Sequence, residues 1–212
     1  MHRYKTLILV AMLVLVAAHA SGTNLLVNGS FESGDFAGWT IGTTSNGTWG
    51  ELLPIVATWP LGGMNAAKGE VGQVSSNGLY EGGILLQTFY SRAGAATLSF
   101  DWAAMGDGVQ ENADGGFFAL VLDGTTLAQF DVGDIGPNDL FNGTLSANAN
   151  LTAGQHIFEI DVLRPYTSLP GGTPFQYVTN ADVEGTVPEP SSLVLLASGV
   201  LGLAGFLRRK LL

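Results

Sequence analysis

The residues best equipped for chemistry in this sequence are carboxylates: 18 Asp and Glu, against 8 Lys and Arg, three His and no Cys. Two carboxyl groups flanking a bond could hydrolyse a glycoside, one as acid and the other as base or nucleophile. No pair of acids has a sequence setting that marks such a couple. A nucleophilic triad would have to use His156, because His2 and His19 fall in the N-terminal leader described below. His156 stands at the start of a regular strand pattern, Gly154-Gln155-His156-Ile157-Phe158, which is a structural setting. Ser33 and Ser99 lack the glycine-flanked elbow that exposes a serine nucleophile. The absence of cysteine excludes thiol catalysis, thiolate zinc sites and a disulfide framework. A non-catalytic protein is therefore expected, with a carboxylate-based hydrolase as the lesser alternative.

Two Gly-rich loops gather further acids: Asp107, Glu111, Asn112 and Asp114, then Asp131, Asp134 and Asp139. Neither has the ligand spacing of an EF-hand loop, so both read as solvated loops. The four tryptophans divide. Trp102 alternates with Phe100 and Leu98 and is expected in the core. Trp49 and Trp59 flank a stretch rich in Gly, Ser and Thr where no apolar alternation absorbs them. An exposed aromatic face beside polar side chains is how a sugar ring is held, so these two are the candidate glycan-binding residues.

Elements must position these groups, and the two ends of the chain are set aside first. Arg3 and Lys5 precede an apolar run, Leu7–Ala17, and Ala18-His19-Ala20 fits the small-x-small pattern cut by a signal peptidase. Residues 1–20 thus read as a signal peptide, with Ser21 the mature N-terminus. At the other end, Leu193–Leu207 is apolar and Arg208-Arg209-Lys210 follows at once. As a helix this run would reach roughly 22 Å, a short transmembrane span, with its basic triplet held on the cytoplasmic side. Between the ends only Lys68, Arg92 and Arg164 carry positive charge, against 17 acids, so residues 21–187 sum to 3 − 17 = −14. That balance argues against nucleic acid and anionic membrane surfaces, and for cations or neutral ligands.

The region from 21 to 186 reads as all-β: short apolar runs broken by Gly, Asn and Asp. Strands are expected at Leu25–Val27, Leu53–Ala57, Gly83–Phe89, Thr97–Trp102, Phe117–Leu122, Leu127–Val132, Leu140–Ala147, His156–Leu163 and Phe175–Val183. Phe158, Ile160 and Val162 share one face, as do Leu98, Phe100 and Trp102, the period of an antiparallel sheet buried on one side. Asp123-Gly124 between two apolar runs signals a tight hairpin. About nine strands make a single jelly-roll-like antiparallel β-sandwich.

Two resemblances sit on these residues. Val187-Pro188-Glu189-Pro190-Ser191-Ser192, an apolar helix and then Arg208-Arg209-Lys210 resemble the C-terminal sorting signal of the PEP-CTERM family. The resemblance implies recognition at Pro188, Glu189 and Pro190 by an exosortase, which removes residues 187–212. It also implies a Gram-negative-type bacterium, transient anchoring in the inner membrane, and a final place at the cell surface or in an exopolysaccharide or biofilm matrix.

The second is Asn24-Leu25-Leu26-Val27-Asn28-Gly29-Ser30-Phe31-Glu32, with Gly38-Trp39, Gln87, Leu98–Trp102 and Asn180–Val183. Together these are similar to galactose-binding-like β-sandwiches, which include many carbohydrate-binding modules. This resemblance implies a core position for Trp39 and a structural calcium ion held by Glu32 and Asp182. Ala181 stands where a further ligand is usual. A calcium-stabilised module with a defined glycan ligand is the alternative reading of function.

Overall fold

The computed structural model describes residues 23–50, 54–108, 113–165 and 174–185. The expected signal peptide, with Ala18, Ala20 and Ser21, lies outside these residues. So do Leu193–Leu207, Pro188, Glu189, Pro190, Arg208, Arg209 and Lys210.

Every regular element among the described residues is a strand: β1 (Thr23–Asn24), β2 (Thr40–Thr43), β3 (Gly47–Thr48), β4 (Ile55–Thr58), β5 (Asn65–Gly69), β6 (Gly72–Gln73), β7 (Glu81–Ser91), β8 (Gly94–Met105), β9 (Ala113–Asp114), β10 (Phe117–Leu122), β11 (Thr125–Asp131), β12 (Asp134–Ile135), β13 (Leu140–Leu151), β14 (Gly154–Arg164) and β15 (Phe175–Gly185). They form a sandwich of antiparallel sheets. One sheet runs β13-β8-β15-β5-β4, with β1 also pairing β15, and the other runs β11-β10-β14-β7-β2.

The alternation read from the sequence sets which faces meet. Leu98, Phe100 and Trp102 of β8 face Phe118, Leu120 and Leu122 of β10, Phe158, Ile160 and Val162 of β14, and Leu85 and Phe89 of β7 in one buried cluster. Each fully buried side chain of this kind contributes ~1.5–3 kcal/mol, so this interior dominates the stability. Trp102 stacks on Phe118 at 5.0 Å and on Phe130 at 4.8 Å. Gly143, opposite it on β13, leaves the room: a Cβ there would meet the indole at 2.9 Å.

The Asp123-Gly124 hairpin forms between β10 and β11, with φ of 50° and 76° at its two central residues. Those are the positive angles that match the turn to the right-handed twist of the strands. Three expectations are adjusted. Residues 25–27 are not a strand; pairing stops at Asn24, and the following residues run as bends. The strand expected at Leu53–Ala57 is Ile55–Thr58, with residues 51–53 outside the described set. Short strands β2 and β5, TIGT and NAAKG, were not expected, because each has too few apolar residues to show a period of two.

Candidate functional site

The first and last strands lie side by side, and the segment after β1 is fixed to both sheets by side-chain amides. Asn24 Oδ1 accepts the Leu26 and Val183 N–H groups (2.9 and 3.1 Å), and its Nδ2 donates to the Ala181 carbonyl at 2.9 Å. Gln87, on the opposite sheet, accepts from the Val27 N–H at 2.5 Å and donates to the Val27 carbonyl at 2.9 Å. Ala181 N–H donates to the Gly29 carbonyl at 2.9 Å. A Cβ on Gly29 would lie 2.0 Å from the Ala181 oxygen, so only glycine permits this approach. Trp39 is buried as expected, and its indole N–H caps the Asn28 carbonyl at 3.0 Å.

These anchors frame an open depression of about 680 Å³ lined by Asn24, Asn28, Glu32, Ser99, Asp101, Asn180, Asp182 and Glu184 among others. Glu32 and Asp182, far apart in sequence, thus line one site. Asp101 is already committed, accepting from Thr144 Oγ1 at 2.5 Å and Asn180 Nδ2 at 2.8 Å. Asp182 is not: its Oδ1 is buried with no hydrogen-bond partner. Burial and the nearby Glu184 charge push its carboxyl pKa up, against a smaller pull from the Val183 N–H. Hard carboxylate and amide oxygens suit calcium. Among the described residues, however, no group of three or more His, Asp or Glu side chains converges to hold an ion. Backbone or amide oxygens would have to complete any shell.

Trp49 and Trp59 are placed elsewhere than expected, and both are buried. Trp49 joins the main core, its indole N–H donating to the Gly42 carbonyl at 2.8 Å. It fits a slot made by glycines on other strands: Cβ atoms on Gly69 and Gly83 would fall 2.5 and 2.0 Å from the ring. Trp59 packs in a satellite cluster with Ala66, Ala103 and Tyr177, edge-on to Tyr177 at 6.4 Å and 82°. Neither ring offers a free face for a sugar. Lys68, beside that cluster, sits 3.5 Å from the centre of the Phe175 ring.

The acids of the two Gly-rich loops mostly tie their own turns. Asp114, Asp131 and Asp139 each accept a backbone N–H, from Gly116, Gly133 and Gly136, at 2.7–3.0 Å. Glu111 and Asn112 lie outside the described residues.

Two further arrangements of titratable groups lie apart from these sites. Glu159 and Asp161 alternate with the inward residues of β14, so both stand on the outer face of the five-stranded sheet. There Asp161, whose Oδ1 is buried without a hydrogen-bond partner, is pushed up to about 7, first by burial and then by the neighbouring Glu159 carboxyl. The Glu-x-Asp spacing was visible; that no cation among the described residues of the flanking strands would face it was not. His156 is buried, with Nδ1 2.7 Å from Asp123 Oδ2 and Nε2 3.0 Å from the Thr152 carbonyl oxygen. Both ring nitrogens are taken up by structure.

Comparison with known proteins adds the tail. Residues 186–210 match the PEP-CTERM protein-sorting motif. The chain is an exported protein that carries this sorting signal. No curated protein matches it. Solved structures similar to it include the CBM22-1 xylan-binding domain from Paenibacillus barcinonensis Xyn10C, at 12% identity over 81% of this chain and 100% of that one, with a TM-score of 0.45. A family 61 carbohydrate-binding module in complex with β-1,4-galactotriose matches at 15% identity over 76% and 97%, TM-score 0.45. The K1 cleaved adhesin domain of Lys-gingipain from Porphyromonas gingivalis matches at 12% identity over 74% and 96%, TM-score 0.48.

Proposed function

We propose that this chain is a non-catalytic protein of the cell surface or extracellular matrix, whose sandwich (residues 21–186) is delivered by its tail (187–212). Signal peptidase would cut after Ala20. An exosortase would then recognise Pro188, Glu189 and Pro190 and release the sandwich from a transient inner-membrane anchor that ends in Arg208, Arg209 and Lys210. The observation that carries this reading is the sorting motif at residues 186–210. The engagement of both His156 nitrogens supports the non-catalytic part, since a general base needs one of them free.

The experiment is intact mass of wild type and Glu189→Ala recovered from the surface and from the inner membrane. Wild type should reach the surface without either end; the variant should stay in the membrane with its tail attached. A variant that reaches the surface at the wild-type mass overturns the proposal.

A second reading, a calcium-stabilised carbohydrate-binding module, is favoured by the shared depression of Glu32 and Asp182 and the buried, unpartnered Asp182 oxygen. The ion would supply structural cross-linking there, between the segment after β1 and β15. The strongly acidic sandwich repels anionic polymers, so the partner would be a neutral, hydroxyl-rich polysaccharide of the biofilm or exopolysaccharide layer. Binding to neutral glycans that requires calcium and is lost in Asp182→Ala would support it; absence of binding with and without calcium would sink it.

A further inference from the structure

The described strands of the two sheets end in five edges, and four of them are blunted. β1 is two residues, β2 and β4 are four residues each, and β11 is seven residues, with a register shift against β10 between Leu120 and Val121. The fifth, β13, is twelve residues long and pairs with β8 without a single shift from Leu140 to Leu151. Among the described residues, no strand pairs with its other side. An antiparallel strand directs alternate pairs of N–H and C=O groups away from its neighbour, so this edge presents a regular row of unsatisfied donors and acceptors.

Protein edges are normally protected by Lys, Pro, a bulge or an inward charge. β13, with the sequence LFNGTLSANANL, has none of these and no charged residue at all. Its outward side chains are Asn142, Thr144, Ser146, Asn148 and Asn150, all small, hydrogen-bonding and exposed. On its inward side, Phe141 is 45% exposed, and Phe130 of the adjoining β11 is 46% exposed, leaving an aromatic seam along the same side of the sandwich.

We propose that β13 is a self-association edge, pairing antiparallel with β13 of a second copy of this chain about a twofold axis near Leu145 or Ser146. The charge pattern selects this occupant. Two copies with −14 each repel almost everywhere, yet along β13 every register sets uncharged residues opposite uncharged residues. Any register that keeps outward residues outward opposes Asn, Thr and Ser with one another, pairs that hydrogen-bond across strands. The same register brings the partner's inward apolar side chains beside Phe141 and shields the seam. A closed twofold contact of this kind uses each free edge once and leaves no open edge to propagate.

Because the chain has no cysteine, single cysteines report the contact directly. The test uses the full chain in mild detergent, with Thr144→Cys, Ser146→Cys and Asn148→Cys on β13 and Thr88→Cys on the exposed face of β7 as control. Under mild oxidation at least one β13 variant should run at twice the chain mass, at a yield several-fold above the control. Wild type should sediment as a dimer and Ser146→Lys as a monomer with unchanged tryptophan emission. Monomeric wild type with no β13 cross-link above the control overturns the proposal. So does a dimer that Ser146→Lys leaves intact, which would place the contact elsewhere.

Discussion

The two ring nitrogens of His156 lie 2.7 Å from the Asp123 carboxylate and 3.0 Å from the Thr152 carbonyl oxygen. Neither partner can donate, so the arrangement is complete only when the ring is doubly protonated. The Asp123 hydrogen bond and the Thr152 carbonyl accordingly raise the histidine pKa, outweighing its burial. For Asp123, burial pushes upward, but the His156 and Ile157 hydrogen bonds prevail and its pKa is lowered. The pair ties the β10–β11 turn to the loop that precedes β14.

The linkage has a definite sign. A raised histidine pKa gives stability that is full below the unfolded value of ~6.5 and is lost as pH rises through the higher folded value. The lowered Asp123 pKa gives stability that is full above ~3.9 and is lost as pH falls through its folded value. His156→Ala should therefore cost ~1–3 kcal/mol near pH 5.5 and less near pH 9. Urea melts at the two pH values check this; an equal cost at both would mean that the ring is held as a neutral group.

The Glu159–Asp161 pair works against the fold in the other part of the range. Asp161 has a folded pKa of about 7 against an unfolded ~3.9, so stability present below ~3.9 is lost progressively as pH rises toward 7. The outward residues facing it are Ala119 and Val121 on β10 and Ile84 and Leu86 on β7, none of them cationic. Asp161→Asn should raise stability at pH 8 by about 1–3 kcal/mol and leave it nearly unchanged at pH 4. Thermal melts across this range would show a flatter profile in the variant.

Trp49 predicts a packing effect rather than a binding effect. Trp49→Ala should cost ~3–5 kcal/mol by opening a cavity in the main core. Gly83→Ala should cost ~1–3 kcal/mol or more, because its new Cβ would land 2.0 Å from the same ring. Equilibrium unfolding of both variants tests the slot. Wild-type stability in Gly83→Ala would show that the indole is free to move.

If calcium bridges Glu32 and Asp182, the melting temperature should rise with added calcium and reach a plateau at saturation. Both Asp182→Ala and Glu32→Ala should abolish the rise. In the absence of the ion Asp182→Ala should melt no lower than wild type, because it removes a buried carboxylate oxygen that has no partner. Melting curves with a chelator and with calcium give both comparisons.

Much of the architecture was legible because its long strands alternate strictly. Leu98-Phe100-Trp102 and Phe158-Ile160-Val162 announced their buried faces, and Asp123-Gly124 announced its turn. What escaped depended on space supplied from afar. Nothing near Trp49 in the sequence reveals that Gly69 and Gly83 clear a slot for it, and nothing near Trp59 reveals Tyr177. Residues 25–27 look like a strand by composition, yet Asn24 and Gln87 take up the backbone groups that a strand would have paired. Glu32 and Asp182 do line one depression, which periodicity alone could not have shown, since they belong to opposite ends of the chain.

The placement of β15 has a mechanical consequence. The strand lies between β8 on one side and β1 and β5 on the other, and Gly185, its last residue, is the point where the sorting tail joins the sandwich. A pull exerted through the tail runs along this strand, parallel to its neighbours, and loads the ladder hydrogen bonds in shear. They must fail together instead of peeling one by one from an end. The domain would thus hang from a strand paired on both sides, and tension during membrane tethering would be shared with the neighbouring strands.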